Sequence, residues 1–180
     1  MSHYRLTCQM IVSKPIAEVF AVFEDPYNLA KITPSRLHFL VTSKHPVQMT
    51  PGTEIDYRFR WFGLPLHWRT RITAYRPPRY FVDEAIRSPY VFWRHRHTFE
   101  PIGNGTCVRD TVDYKLPLGP LGRITHSLFV QRDLIAIFTF RQQALDRLWG
   151  GQAQIEWPIV QTIESLPSAP ETANPADRER

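Results

Sequence analysis

Two histidines one residue apart, His95 and His97, lie in the run Trp93-Arg94-His95-Arg96-His97-Thr98-Phe99. Alternate side chains of an extended strand point to opposite faces, so Trp93, His95, His97 and Phe99 share one face and Arg94 and Arg96 the other. Imidazoles change charge near neutral pH, so such a pair on an aromatic surface suits proton transfer, the orientation of a polar ligand group, or metal ligation. Each of these needs partners. A two-residue turn at Ser88-Pro89, joining Arg87 to Tyr90, would set Glu84 opposite Trp93, Val82 opposite His95 and Tyr80 opposite His97, which turns Glu84 to the histidine face. The alternation Val108, Asp110, Val112, Tyr114 carries Asp110 inward beside His97, and Arg141 flanks the apolar stripe of a later helix, within reach of an inward carboxylate.

The predicted polar cluster is therefore Glu84, His95, His97, Asp110, Tyr114 and Arg141. As an acid–base site it would use His95 and His97 oriented by Glu84, with Tyr114 or Arg141 stabilising an enolate. As a binding site it would hydrogen-bond the polar end of a ligand, and as a structural feature its members would only satisfy one another. Paired polar clusters are common without chemistry, so ligand orientation is favoured over catalysis. Metal ligation is weaker still, because a zinc site needs a third well-placed ligand and Cys8 and Cys107 fall on opposite faces. No metal and no cofactor are expected.

The elements that must position these groups follow from periodicity. Tyr4 to Val12 alternates as a first strand, Ser13-Lys14-Pro15 opens a short helix with Ile16, Val19, Phe20 and Phe23 on one face, and Leu29 to Ile32 forms a second helical turn. Strands follow: Leu37 to Val41, Ile55 to Trp61, Leu66 to Ile72, Tyr80 to Arg87, the histidine strand, and Val108 to Leu116. From Leu121 to about Trp149 one long amphipathic helix is predicted, its stripe running Ile124, Leu128, Gln131, Ile135, Phe138, Gln142 and Leu145, and Gly150-Gly151 ends it. Trp157-Pro158-Ile159-Val160 is a short docking segment, and composition after Leu166 predicts a disordered tail. The fold class is α+β: a seven-stranded antiparallel curved sheet wrapped around a long C-terminal helix, with two short helices after the first strand. The predicted domains are residues 1–149, a ligand-binding domain, and 150–180, a partly disordered extension.

Composition agrees. A chain of 180 residues with 13% aromatics suits one domain with a large lined interior. Residues 150–180 hold two arginines against five acids, a balance of −3, which leaves +8 of the net +5 on residues 1–149. Two cysteines without a disulfide framework fit a reducing cytoplasm, and no apolar run is long enough to span a bilayer.

The stretch P-x-x-x-V-F-x-x-F-x-D-P-x-N-L-x-x-I-T-P at residues 15–34 resembles the START-like superfamily, whose helix-grip fold serves lipid-transfer domains, polyketide cyclases and birch-pollen-type allergens. Pro77-Pro78-Arg79-Tyr80-Phe81-Val82-Asp83-Glu84, Trp93-x-His95-x-His97-x-Phe99 and Asp110-x-x-x-Tyr114-x-x-Pro117-x-Gly119 are similar to its SRPBCC, cyclase/dehydrase-like branch. The resemblance covers about residues 3–149 and implies a cavity for a hydrophobic small molecule such as a lipid, an isoprenoid quinone or a polyketide-like compound. A cyclase or dehydratase is the alternative. The expected ligand-binding residues are Tyr57, Phe59, Trp68, Glu84, Trp93, His95, His97, Asp110, Tyr114, Phe138 and Arg141. Ile55, Phe99, Leu37, Phe39 and Leu145 would line or fill the same space.

Alternation sends Arg58, Arg60, Arg69, Arg71, Arg94, Arg96 and Arg109 to the outer face, with Asp56, Asp83 and Asp113 among them. A solvated, partly ion-paired face is the favoured reading. Docking on an anionic membrane is the functional one, with a ribosome, other nucleic acid or a protein less favoured because the aromatics point inward. The tip Trp61-Phe62-Gly63-Leu64-Pro65 would gate the pocket, dip into lipid, or pack on the long helix.

Overall fold

Alternation and punctuation become strands and turns in the computed structural model, which describes residues 2–166. The predicted tail after Leu166 lies outside the described residues. His3–Val12 forms β1 and Ile16–Glu24 forms α1, followed by two short 3-10 turns at Pro26–Ala30 and Ser35–Leu37. The strands β2 (Leu40–Val41), β3 (Glu54–Trp61), β4 (Leu64–Arg76), β5 (Tyr80–Arg87), β6 (Phe92–Ile102) and β7 (Gly105–Lys115) come next. A helical run then comprises α2 (Gly119–Thr125), a π turn (His126–Val130) and α3 (Gln131–Leu148), and β8 (Gln154–Ile163) closes the described chain.

All strands pair antiparallel in the order β2-β3-β4-β5-β6-β7-β1-β8. The sheet and long helix are those expected for a helix grip, with one strand more. That strand, β8, runs along the whole of β1, and a bulge opposite Thr7–Gln9 accommodates Trp157 and Pro158. Proline cannot donate to a ladder, so an edge strand at a bulge is where it is tolerated.

The long helix presents a different face from the one periodicity predicts. Ile124 and Leu128, expected in the buried stripe, are exposed, whereas His126, Val130 and Leu134 are buried. A π turn contains an extra residue, so it rotates everything before it relative to the regular helix that follows. Past the turn Phe138, Gln142 and Leu145 face the sheet as expected. Gly151 donates its N–H to Asp146 O at 2.8 Å with φ +72°, a left-handed end that favours glycine.

Two hydrophobic clusters hold helix and sheet together. One joins Val19 and Phe20 of α1 to Met10, Ile55, Ile72, Phe81, Phe99, Val108 and Leu145; the other joins Tyr4, Leu6, Val112 and Tyr114 to Val130, Leu134 and Phe138. Phe99 and Leu145, expected at the cavity, belong to the first cluster and are closed off from it. Gln142 fastens the edge: its Nε2 donates to Gln9 O and Glu156 O, both at 3.0 Å, across the β1–β8 bulge. Gln142→Leu would leave both carbonyls without that donor and is expected to cost about 1–3 kcal/mol. Urea unfolding reads the loss, and hydrogen exchange should accelerate first in β8; uniform exchange across the sheet would contradict this role.

Candidate functional site

Between the concave face of the sheet, α1 and the long helix lies a cavity of about 310 Å³. Aromatic and aliphatic side chains on the inward positions of β3, β4 and β6 line it, among them Tyr57, Phe59, Trp68 and Trp93, and Phe138 faces them from α3. Trp68 and Trp93 meet edge to face at 5.2 Å. The β3–β4 tip closes onto the helix: Trp61 Nε1 donates to Asp133 Oδ2 at 2.8 Å, and Arg36 binds the same carboxylate at 2.6 Å. Of the roles expected for that tip, packing on the helix is therefore seen, while Phe62 and Leu64 remain exposed, Phe62 edge-on to Phe129 at 6.3 Å.

The polar groups of the cavity differ from expectation by one residue of register. The β5–β6 connection takes an extra residue, so Asp83 pairs with His95, Phe81 with His97 and Glu84 with Arg94. A slip of one residue exchanges the faces of a strand. Glu84, expected inside with the histidines, lies on the outer face and accepts a hydrogen bond from Arg94 Nε at 2.7 Å. Asp83, expected outside, takes the inward place. The signal that would have located it is the length of the Ser88–Val91 loop, which the sequence alone leaves open between two and three turn residues.

β7 registers as expected, His97 opposite Asp110. Asp110 Oδ1 lies 2.9 Å from His95 Nε2 and 2.7 Å from His97 Nδ1, so one carboxylate oxygen bridges both imidazoles. The His97 N–H points off that line, which leaves Nδ1 without a well-formed hydrogen bond. On the other side Asp83 Oδ2 is 3.9 Å from His95 Nδ1 and 3.6 Å from His97 Nε2. The rings are 3.8 Å apart, and they are walled by Phe81, stacked on His97 at 4.3 Å, and by Phe138, edge-on to His95 at 5.5 Å.

Asp83, His95, His97 and Arg141 face the cavity, whereas Asp110 sits behind the imidazoles against Cys8 Sγ at 3.9 Å. Tyr114, expected in the cavity, is fully buried beneath it, and its hydroxyl meets His126 Nε2 at 2.8 Å. His126, which sequence reasoning passed over, stacks on Tyr4 at 3.5 Å. Arg141 is buried with its guanidinium 4.7 Å over the Phe138 ring, and its Nε has no hydrogen-bond partner among the described residues.

Electrostatics separates the two histidines. Burial and the neighbouring charge of His97 push His95 down to about 4, so it is neutral at physiological pH. Burial acts the same way on His97, but the negative charges of Asp110 and Asp83 outweigh it and raise its pKa. Burial opposes ionisation of Asp110, yet the neighbouring His97 and the His95 hydrogen bond hold that carboxyl well below the usual range. The result is a buried carboxylate bridging a neutral imidazole and a second imidazole that is more basic, a group able to orient a polar ligand atom or pass a proton to it.

The outer face is largely self-compensated. Arg69 pairs with Asp56 at 2.7 Å, Arg71 with Glu54 at 2.7 Å and Arg5 with Asp113 at 2.6 Å. Arg109 Nη2 donates to Gln9 Oε1 at 2.7 Å, and Arg96 lies over the Tyr80 ring. Such pairs at solvent contribute little stability. Among the described residues no helix is long and apolar enough to cross a membrane.

The family model described as polyketide cyclase / dehydrase and lipid transport matches residues 12–135. No curated protein matches the chain. Solved structures share its fold at low identity. The Thermus thermophilus protein TTHA0849 superposes with a TM-score of 0.64 at 15% identity, over 79% of this chain and 94% of that one. The ginseng (Panax ginseng) major latex-like protein 151 does so at 0.61 and 11%, over 82% and 98%. A START superfamily protein from Mycobacterium smegmatis gives 0.59 and 10%, over 81% and 97%.

His126 offers a measure of the electrostatics away from the cavity. Burial lowers its pKa from 6.5 to about 4, so below pH 6.5 the unfolded chain takes up a proton that the folded protein refuses. Its contribution is complete above about pH 6.5 and is lost as pH falls towards 4; His95 acts with the same sign and His97 with the opposite one. Urea unfolding between pH 7 and 4.5 should show stability falling with pH, and His126→Gln should reduce that slope by up to one proton. An unchanged slope would mean that His126 is not held neutral.

Proposed function

Because the chain belongs to the polyketide cyclase / dehydrase and lipid transport family, we propose that it is a binding protein for a hydrophobic small molecule with an acidic or oxygen-rich end. Lipids, isoprenoid quinones and polyketide-like compounds have this form. The observation that carries the reading is a cavity of about 310 Å³ whose apolar walls end on a buried arginine and an imidazole–carboxylate group. Pockets of this size and character bury most of a small ligand and fix its direction through a few polar contacts. Arg141 supplies the cationic contact, held at 8% exposure with donor capacity unused. Tyr57, Phe59, Trp68, Trp93 and Phe138 take the apolar body, and His95 and His97 meet the polar end. Exchange takes place at the rim formed by Phe62, Leu64 and the exposed turn of the helix, an arrangement compatible with peripheral membrane contact in a cytoplasmic protein.

Native mass spectrometry of protein isolated from its own host should find such a compound bound. In vitro, a fluorescent long-chain fatty acid should bind about tenfold more tightly than its methyl ester, a difference of about 1.4 kcal/mol, and Arg141→Met should remove the difference. Equal binding of acid and ester by the wild type would overturn the role of Arg141, and absence of saturable binding by either would overturn the ligand reading.

A second reading, cyclisation or dehydration of a polyketide-like substrate, is favoured by one observation: both imidazoles face the cavity while Asp110 orients them from behind. His95 would act as base with His97 as acid, and Glu84, on the outer face, has no part. His95→Gln with His97→Gln should abolish turnover while circular dichroism shows the fold intact; unchanged turnover would refute the assignment.

A further inference from the structure

A carboxylate and two imidazoles converge on one point of the cavity wall. Asp83 Oδ2, His95 and His97 each offer a ligand atom, and these atoms lie within 4.8 Å of one another. The spacings of Asp83 Oδ2 from His95 Nδ1 and His97 Nε2, 3.9 and 3.6 Å, are too long for direct hydrogen bonds. They are close to the separation of about 3.4 Å between two donors that each stand about 2.1 Å from a tetrahedral ion. The opposite nitrogens, His95 Nε2 and His97 Nδ1, are the ones that meet Asp110. A carboxylate behind a ligating imidazole selects the tautomer that turns the other nitrogen to the metal, and here a single carboxylate performs that task for both rings.

We propose that Asp83, His95 and His97 form a binding site for a borderline divalent cation of the zinc type, with Asp110 as the positioning carboxylate. Two imidazoles and one carboxylate suit such an ion, and the two aspartates match its charge in a cavity that is otherwise apolar. The chain supplies three ligands, so the fourth position opens to the cavity, where water or a ligand oxygen completes it. Sequence reasoning set metal aside for want of a third ligand; the one-residue register of β5 against β6 provides Asp83. The site lies in the same cavity as the proposed ligand but does not rest on that reading, since it is tested with metal alone.

The test uses full-length protein without an affinity tag, stripped with a chelator and titrated with cobalt(II) and zinc(II) chloride. About one equivalent of cobalt should bind with visible d–d absorption, and zinc should displace it. In the proton spectrum of the cobalt form two exchangeable, strongly shifted imidazole N–H signals are expected, from His95 Nε2–H and His97 Nδ1–H. Asp83→Asn, which keeps the side-chain shape, should weaken binding by tenfold or more. Asp110→Asn should weaken it by about 10–100-fold. Glu84→Gln, on the outer face, should leave binding unchanged. Circular dichroism confirms that each variant is folded. Absence of saturable one-to-one binding, absence of shifted imidazole signals in the wild type, or equal affinity in folded Asp83→Asn would reduce the site to an adventitious ion only and overturn the proposal.

Discussion

A carboxylate buried behind the wall of an apolar cavity must be met by donors, or ionisation there costs more than folding can offset. Asp110 is met by two imidazoles on the neighbouring strand, 2.9 and 2.7 Å away, and the arrangement of the inner face follows from that contact. It ties β6 to β7 with His97 opposite Asp110, sets the tautomers of both rings, and turns their other nitrogens towards Asp83. The group sits at the seam of the two hydrophobic clusters: Phe81 belongs to one, Phe138 to the other, and each covers one imidazole. A polar network so enclosed is stable only when nearly every member is satisfied, so its geometry is sharply defined.

The open volume beside this network has a separate cause. Large inward side chains on β3, β4 and β6 hold the helix away from the middle of the sheet, while the two clusters and the Trp61–Asp133 contact tie it down around the edges. Space is left where the aromatic walls do not interdigitate. Arg141 enters from the helix side with its charge uncompensated by a described carboxylate contact, and the imidazoles enter from the sheet side. A ligand between them would find apolar walls along its length and polar groups at one end, which is how a binding site fixes orientation with few contacts.

The helix shows how a local irregularity serves this design. The π turn at His126–Val130 shifts the buried face so that His126 reaches Tyr114 beneath the cavity, while Ile124 and Leu128 turn outward and Phe129 meets Phe62 edge-on at 6.3 Å. A regular helix with the predicted stripe would have buried Ile124 and Leu128. At the other end, Gln142 uses its amide to satisfy the backbone at the β1–β8 bulge, a polar task on an otherwise hydrophobic stripe.

Much of this was legible in the sequence because side-chain alternation and helical spacing are local. The inward set Tyr57, Phe59, Trp68, Trp93, His95 and His97, the placing of Asp110 inward beside His97, and the order of elements all follow from neighbours along the chain. What the sequence did not determine depends on pairing between segments. The exchange of Glu84 for Asp83 turns on one residue in the Ser88–Val91 loop, and the alternation of β5 is equally regular in either register. The hydrogen-bonded ladder and the demand of two buried imidazoles for a second carboxylate are tertiary. So are the π turn, which no change in periodicity announces, and β8, whose stability comes from β1 and Gln142 rather than from its own proline-bearing sequence. By itself the sequence determined which face of each strand is apolar and that histidines lie on it; only the folded sheet decided which carboxylates stand beside them, because register is a property of two strands and not of one.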